Sequence, residues 1–172
     1  MIQLRPLSSI DIYPFYKWLN DALVIKYSLS LFQKISTKQE IDEWYSELIN
    51  NKEIVNYGIF LKSTSKLIGY AGLCNISNEK KSGEFYIFIG DRAMWGKGIA
   101  TIVSKKLIKI GFEEINLEEI YLTVSKPNIG GIKAYKKAGF VFKDRLVDAC
   151  YRDNAYHDKL IMTIKKKELT NE

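Results

Sequence analysis

The stretch from Glu84 to Thr101 reads Glu-Phe-Tyr-Ile-Phe-Ile-Gly-Asp-Arg-Ala-Met-Trp-Gly-Lys-Gly-Ile-Ala-Thr: an apolar run, a turn rich in glycine, then the start of a helical pattern. A strand feeding such a turn leaves the first backbone N–H groups of the following helix without partners, with the positive end of the helix dipole behind them. Together they make a site for an anion, so a phosphate-bearing cofactor is expected here. Gly96-Lys97-Gly98 is also what a purely structural turn would show, and its context has to separate the two. The turn lacks the Gly-rich loop plus Lys-Ser/Thr of a P-loop and the three-glycine spacing and downstream acid of a dinucleotide fingerprint, which removes those two nucleotide readings. Cys74 and Cys150 have no histidine or cysteine at ligand spacing, so no metal is expected and both should be reduced thiols in packing positions. His157, the single histidine, falls in an Arg152 to Asp158 segment that reads as a turn.

A chain of 172 residues, 47% hydrophobic and 13% aromatic, has room for one full core and too little for two, so one domain over 1–172 is expected. The formal charge of +6 favours anionic ligands or partners without naming one. Its lysines are spread along the chain with no recognition helix or aromatic RNA-binding pattern, which argues against a nucleic-acid module. The start, Met-Ile-Gln-Leu-Arg-Pro, lacks the apolar centre of a signal peptide, and no run is long enough to span a bilayer. A cytoplasmic protein without a membrane partner is expected.

The elements that must carry the turn follow from periodicity. Ile2 to Arg5 alternates as a strand, and Ser8 or Ser9 caps a helix bearing Ile12, Phe15, Tyr16 and Leu19. Asn20 to Ser36 is apolar without a clean period and reads as a partly helical loop. Thr37-Lys-Gln-Glu40 is a capping box ahead of Ile41, Trp44, Tyr45, Leu48 and Ile49 at helical spacing. Val55 to Leu61 and Leu67 to Ile76 form a hairpin, and Gly83 to Gly90 adds a third strand. Beyond the glycine turn, Ile99, Ile102, Val103, Leu107 and Ile110 mark a helix face. Ile120 to Val124 is a strand, Asn128 to Ala138 a helix stopped by Gly139, and Phe140 to Val147 with Lys159 to Ile164 a last strand pair. Lys165 to Lys167 reads as a solvated tail.

The context comes from Thr123-Val-Ser-Lys-Pro-Asn128-Ile-Gly-Gly-Ile-Lys-Ala-Tyr135-Lys-Lys-Ala-Gly139-Phe140. With Trp95-Gly-Lys-Gly-Ile-Ala100 it resembles the acyl-CoA-binding motifs of the GNAT superfamily of N-acetyltransferases, and the order of elements resembles that fold over nearly the whole chain. Trp-Leu-Asn-Asp at 18 to 21, Ile89 to Gly98 and Arg152 to Asp158 look most like the branch of ribosomal-protein N-terminal acetyltransferases (RimJ/RimL-like) and their small-amine relatives. Trp95 departs from the Gln or Arg that often opens the superfamily's phosphate loop, which puts a side-chain phosphate contact in doubt but not the backbone cradle.

The resemblance implies one α/β (α+β) domain: a mixed, mostly antiparallel sheet of about seven strands flanked by about four helices, with strands splayed at the cofactor site. It implies acetyl-CoA as acyl donor, no metal, and direct transfer to a primary amine in a ternary complex, acting as monomer or homodimer. Phe88, Ile89 and Gly90 would pair with the pantetheine arm and supply the oxyanion donor. Trp95, Gly96, Lys97, Gly98, Ile99, Ala100 and Thr101 would hold the pyrophosphate. Asn128 would anchor the pantetheine or cap its helix. Tyr135 matches the usual general acid, and Glu84 is the candidate base, directly or through water, or else a solvent-facing strand residue. A small-molecule amine is the expected acceptor; a ribosomal-type protein N-terminus and a non-catalytic acyl-CoA sensor are the alternatives. The net charge suits an anionic acceptor better than a polyamine, which would need an acidic pocket.

Overall fold

The computed structural model describes residues 1–169; Thr170 to Glu172, the end of the expected single domain, lie outside the described residues. Seven strands form one mixed sheet in the order β1-β2-β3-β4-β5-β7-β6. They are β1 Ile2–Arg5, β2 Val55–Leu61, β3 Leu67–Ser77, β4 Ser82–Ile89, β5 Glu119–Ser125, β6 Val141–Arg152 and β7 Ala155–Lys165. Between them lie α1 Tyr13–Trp18, α2 Ala22–Ile25, α3 Lys38–Asn50, α4 Ile99–Glu113 and α5 Ile129–Ala138, with α6 Lys166–Leu169 after β7. This is the α/β architecture expected from the sequence. The chain groups into two compact units, Met1–Gly72 with Ile87–Lys97, and Leu73–Tyr86 with Gly98–Glu172.

In the first unit, β1 runs antiparallel to β2 from Ile2↔Leu61 to Arg5↔Gly58. The helix expected from Ser8 begins as a 3-10 turn, Ser9–Ile12, held by a capping box in which Asp11 Oδ2 accepts from the Ser8 amide at 2.9 Å. Pro14 then opens α1, where its missing N–H costs nothing. The Thr37 capping box forms as expected, with the Glu40 carboxylate accepting from the Thr37 amide at 3.0 Å, and α3 buries Ile41 and Tyr45. Phe15, fully buried, gathers the rings of Trp18, Trp44, Tyr45, Tyr70 and Phe88 within 6.4 Å of its own centroid. These rings form the core of this unit.

In the second unit, α4 buries Ile99, Val103, Leu107, Ile108 and Phe112 and leaves Lys105, Lys106 and Lys109 in solvent. Gly139, at φ 109°, stops α5 in the left-handed conformation that glycine takes most easily. Two expectations need correction. The last strands are longer than their apolar runs, because β6 and β7 continue through polar residues to a two-residue turn at Asp153 (φ 52°) and Asn154 (φ 59°). His157 therefore lies on β7 opposite Cys150 rather than in a turn. The lysine run is also not a free tail: Lys166 is half-buried and its ammonium donates to the Phe112 carbonyl at 3.1 Å, near the negative end of α4.

Candidate functional site

The turn after β4 is open around its two glycines. Gly96 and Gly98 have φ of 72° and 74°, and a Cβ placed on either would meet nothing within 4 Å. Their glycine character therefore answers to backbone handedness and open access, not to packing. Gly98 is the N-cap of α4 and offers no side chain to satisfy the helix start. The first intrahelical bond there runs from the Ile102 amide to the Gly98 carbonyl at 3.1 Å, so the N–H groups of Ile99, Ala100 and Thr101 have no intrahelical acceptor. Those three donors and the helix dipole fit a phosphate.

Before the turn, Trp95 and Lys97 are exposed. The Trp95 indole donates to the Ile89 carbonyl at 2.9 Å and so braces the strand end instead of presenting an anion-binding group. Asp91 accepts from the Ala93 amide and pairs with Lys66 at 2.7 Å. The Lys66 ammonium, then that amide and Lys97, hold its carboxyl below the usual carboxylate range. On β4, Phe88 is buried and a Cβ on Gly90 would run into the Trp18 indole. The Gly90 amide donates to the Ile68 carbonyl at 3.0 Å, so it is already engaged within this unit. Since backbone groups alternate sides along a strand, the Ile89 amide points the opposite way from those of Phe88 and Gly90.

In the second unit, β4 and β5 pair in parallel through Ser82↔Glu119, Gly83↔Ile120 and Glu84↔Tyr121. The register goes no further, although β4 runs to Ile89 and β5 to Ser125. This is the parting of strands expected from the resemblance, and it leaves ladder groups for an extended ligand to satisfy. Glu84 stands at the last paired position and is half-buried. Asn75 Nδ2 donates to its Oε2 at 2.7 Å, and Thr123 Oγ1 is 3.4 Å from its Oε1. Around it, burial raises the Cys74 thiol to about 11, with the Glu84 charge adding to the effect. Burial likewise raises the phenol of Tyr121, again with help from Glu84, and that of Tyr86.

Tyr135 lies on α5, edge-on to Phe85 and Phe140 at 6.0 and 6.3 Å between centroids. Burial pushes its phenol up to about 12, so it keeps its proton at neutral pH. Thr101 Oγ1 donates to the Ala134 carbonyl at 3.3 Å, which ties the open end of α4 to the turn of α5 bearing Tyr135. Asn128 caps α5 by accepting the Gly131 amide at 3.0 Å, the second of the two roles expected for it. Within this unit the open start of α4 and the phenol are tied together through Thr101 and Ala134, whereas Glu84, next to Phe85 in the chain, projects from the opposite face of β4 toward Asn75 and Thr123. Sequence reasoning missed Asn75 and Thr123; the signal for Asn75 was an amide interrupting the apolar run Leu67 to Ile76. Cys150 is buried against Ser125 Oγ at 3.2 Å, a packing position. Among the described residues, no cluster of His, Cys, Asp and Glu could hold a metal ion, and no helix is long and apolar enough to cross a membrane.

Comparison with known proteins gives this arrangement a context. The family model described as an acetyltransferase (GNAT) domain matches residues 2–141. Spermidine N(1)-acetyltransferase of Escherichia coli K12 is 26% identical over 163 residues, which cover 95% of this chain and 85% of the relative. An uncharacterized N-acetyltransferase, p20 of Bacillus licheniformis, is 26% identical over 97% of this chain and 94% of its own. The crystal structure of spermidine N-acetyltransferase from Vibrio cholerae in complex with CoA and spermine superposes with a TM-score of 0.85 at 25% identity, covering 99% of this chain and 98% of that one.

Proposed function

Because the chain belongs to the GNAT acetyltransferase family, we propose that it moves the acetyl group of acetyl-CoA directly to a primary amine of a small polyamine-type acceptor in a ternary complex. It is a GNAT-type N-acetyltransferase with acetyl-CoA as donor. The observation that carries the acceptor is Glu84, a carboxylate at the point where β4 and β5 part, held from β3 and β5. The relatives that act on spermidine support the same acceptor class. A local carboxylate outweighs the chain's formal +6, because an ammonium within a few ångströms of it feels that charge far more strongly than screened lysines elsewhere.

A protonated alkyl amine titrates near pH 10, so freeing its lone pair at neutral pH costs roughly 4 kcal/mol. Glu84 attracts the ammonium and accepts its proton, directly or through a water. As the amine attacks the thioester, negative charge builds on the carbonyl oxygen and needs a fixed N–H donor. The leaving thiolate receives the Tyr135 proton, which burial keeps in place at neutral pH. The same apolar surroundings disfavour a bare thiolate and so favour the transfer. The N–H groups of Ile99, Ala100 and Thr101 hold the pyrophosphate, with Gly96 and Gly98 allowing its close approach.

The test is thiol release from acetyl-CoA with spermidine, spermine and peptides bearing ribosomal-type N-termini. Release with the polyamines is expected. Release with peptides alone would overturn the acceptor, and acetyl-CoA binding with no release from any amine would leave a sensor. An acetylated enzyme seen by mass spectrometry would overturn direct transfer.

A further inference from the structure

We propose that Asn75 is a positioning residue for Glu84: its side-chain amide fixes the direction in which the carboxylate meets the amine's proton, an inference that rests on the use of Glu84 proposed above. Asn75 interrupts the apolar residues of β3 with φ 48°, the left-handed conformation that Asn, Asp and Gly tolerate best. A single left-handed residue inside a strand bends the chain locally and re-aims its side chain. Here the redirected amide is 2.7 Å from Glu84 Oε2, a charge-assisted hydrogen bond, while Thr123 holds the other oxygen from β5 at the looser 3.4 Å. The carboxylate is thus gripped from the strands on both sides of β4. The titratable groups that feel its charge are Cys74 from β3 and Tyr121 from β5, with Tyr86 of β4 acting with Cys74 and Glu119 further along β5 acting on Tyr121. The thiol and both phenols are raised, so they stay neutral near pH 7 and add no charge beside this carboxylate, to which the Asn75 amide is a short donor at 2.7 Å.

Two substitutions keep the left-handed backbone and remove the donor. Asn75→Gly deletes the amide, and Asn75→Asp replaces it with a like charge of the same shape. The measurement is kcat/KM for spermidine across pH on the full chain, with the KM for acetyl-CoA alongside and Glu84→Gln as reference. Loss of a hydrogen bond to a charged group predicts that Asn75→Gly lowers kcat/KM about tenfold. It also predicts that the acid limb moves up on the order of one pH unit. Asn75→Asp should move that limb further, and neither variant should change the KM for acetyl-CoA. If Glu84→Gln abolishes the acid limb while both Asn75 variants leave it in place, the positioning role is overturned and the use of Glu84 stands. If Glu84→Gln leaves the limb intact, Glu84 is not the base and the role of Asn75 falls with it.

Discussion

Phe15 and Tyr135 each sit among aromatic rings, one in each compact unit, and what their rings are attached to separates them. Phe15 is wholly buried, with five aromatic neighbours and no polar atom to place. Tyr135 has Phe85 and Phe140 as walls, is only partly buried, and carries a hydroxyl whose pKa those walls raise. Tyr45 is the instructive third case. It belongs to the Phe15 group and also has a hydroxyl, but that hydroxyl donates to the Ser8 carbonyl at 2.8 Å. A buried phenol with a fixed backbone acceptor serves structure, and the phenol of Tyr135 is the one proposed to move a proton.

The strongest test of the structural side is Phe15→Ala. Removing a fully buried ring should cost about 3–5 kcal/mol in denaturant unfolding; a loss below about 1 kcal/mol would mean that the cluster is not a packed core. On the chemical side, Tyr135→Phe should lower turnover about a hundredfold with acetyl-CoA affinity kept. Full activity across pH would remove the phenol as acid. The identical change at Tyr45 sharpens the contrast: Tyr45→Phe should cost about 1 kcal/mol of stability through the lost bond to Ser8 and leave turnover alone. If the two variants behaved alike, the distinction between the ring groups would collapse.

The smallest expected effect is a pH dependence in the polar group around Glu84. Cys74 is raised from 9.0 to about 11 by burial, so the folded state holds its proton more tightly than the unfolded chain. The associated stability is complete below pH 9, where both states are protonated, and is lost as pH rises toward about 11. Cys74→Ala should therefore flatten part of the alkaline fall in stability across that window, and thiol alkylation at Cys74 should lag behind a free cysteine until the same range. Rapid alkylation near pH 8 would show the thiol to be open to solvent.

Much of this was legible beforehand, for reasons that are local. Thr37 and Glu40 form their capping box because the spacing alone brings side chain to backbone. The turn at Gly96 and Gly98 and the stop at Gly139 are glycine positions with positive φ, a demand that any L side chain answers badly. The outer halves of β6 and β7 were missed because, Cys150 apart, their residues are exposed or half-buried, so periodicity had almost no buried face to report; Asp153-Asn154 was the turn signal in that stretch.

The sequence by itself determined the elements, the open helix start at Ile99 and the identity of Tyr135 and Glu84 as candidates, since each depends on residue type within one turn or strand. Tertiary structure alone decided which backbone amide is spent, Gly90 on Ile68, and which indole braces a strand instead of meeting a phosphate. It also brought Asn75, nine positions away in the chain, within 2.7 Å of Glu84. Hydrogen bonds between strands depend on register and, at Asn75, on a left-handed residue, and neither is written in the spacing of residues along the chain.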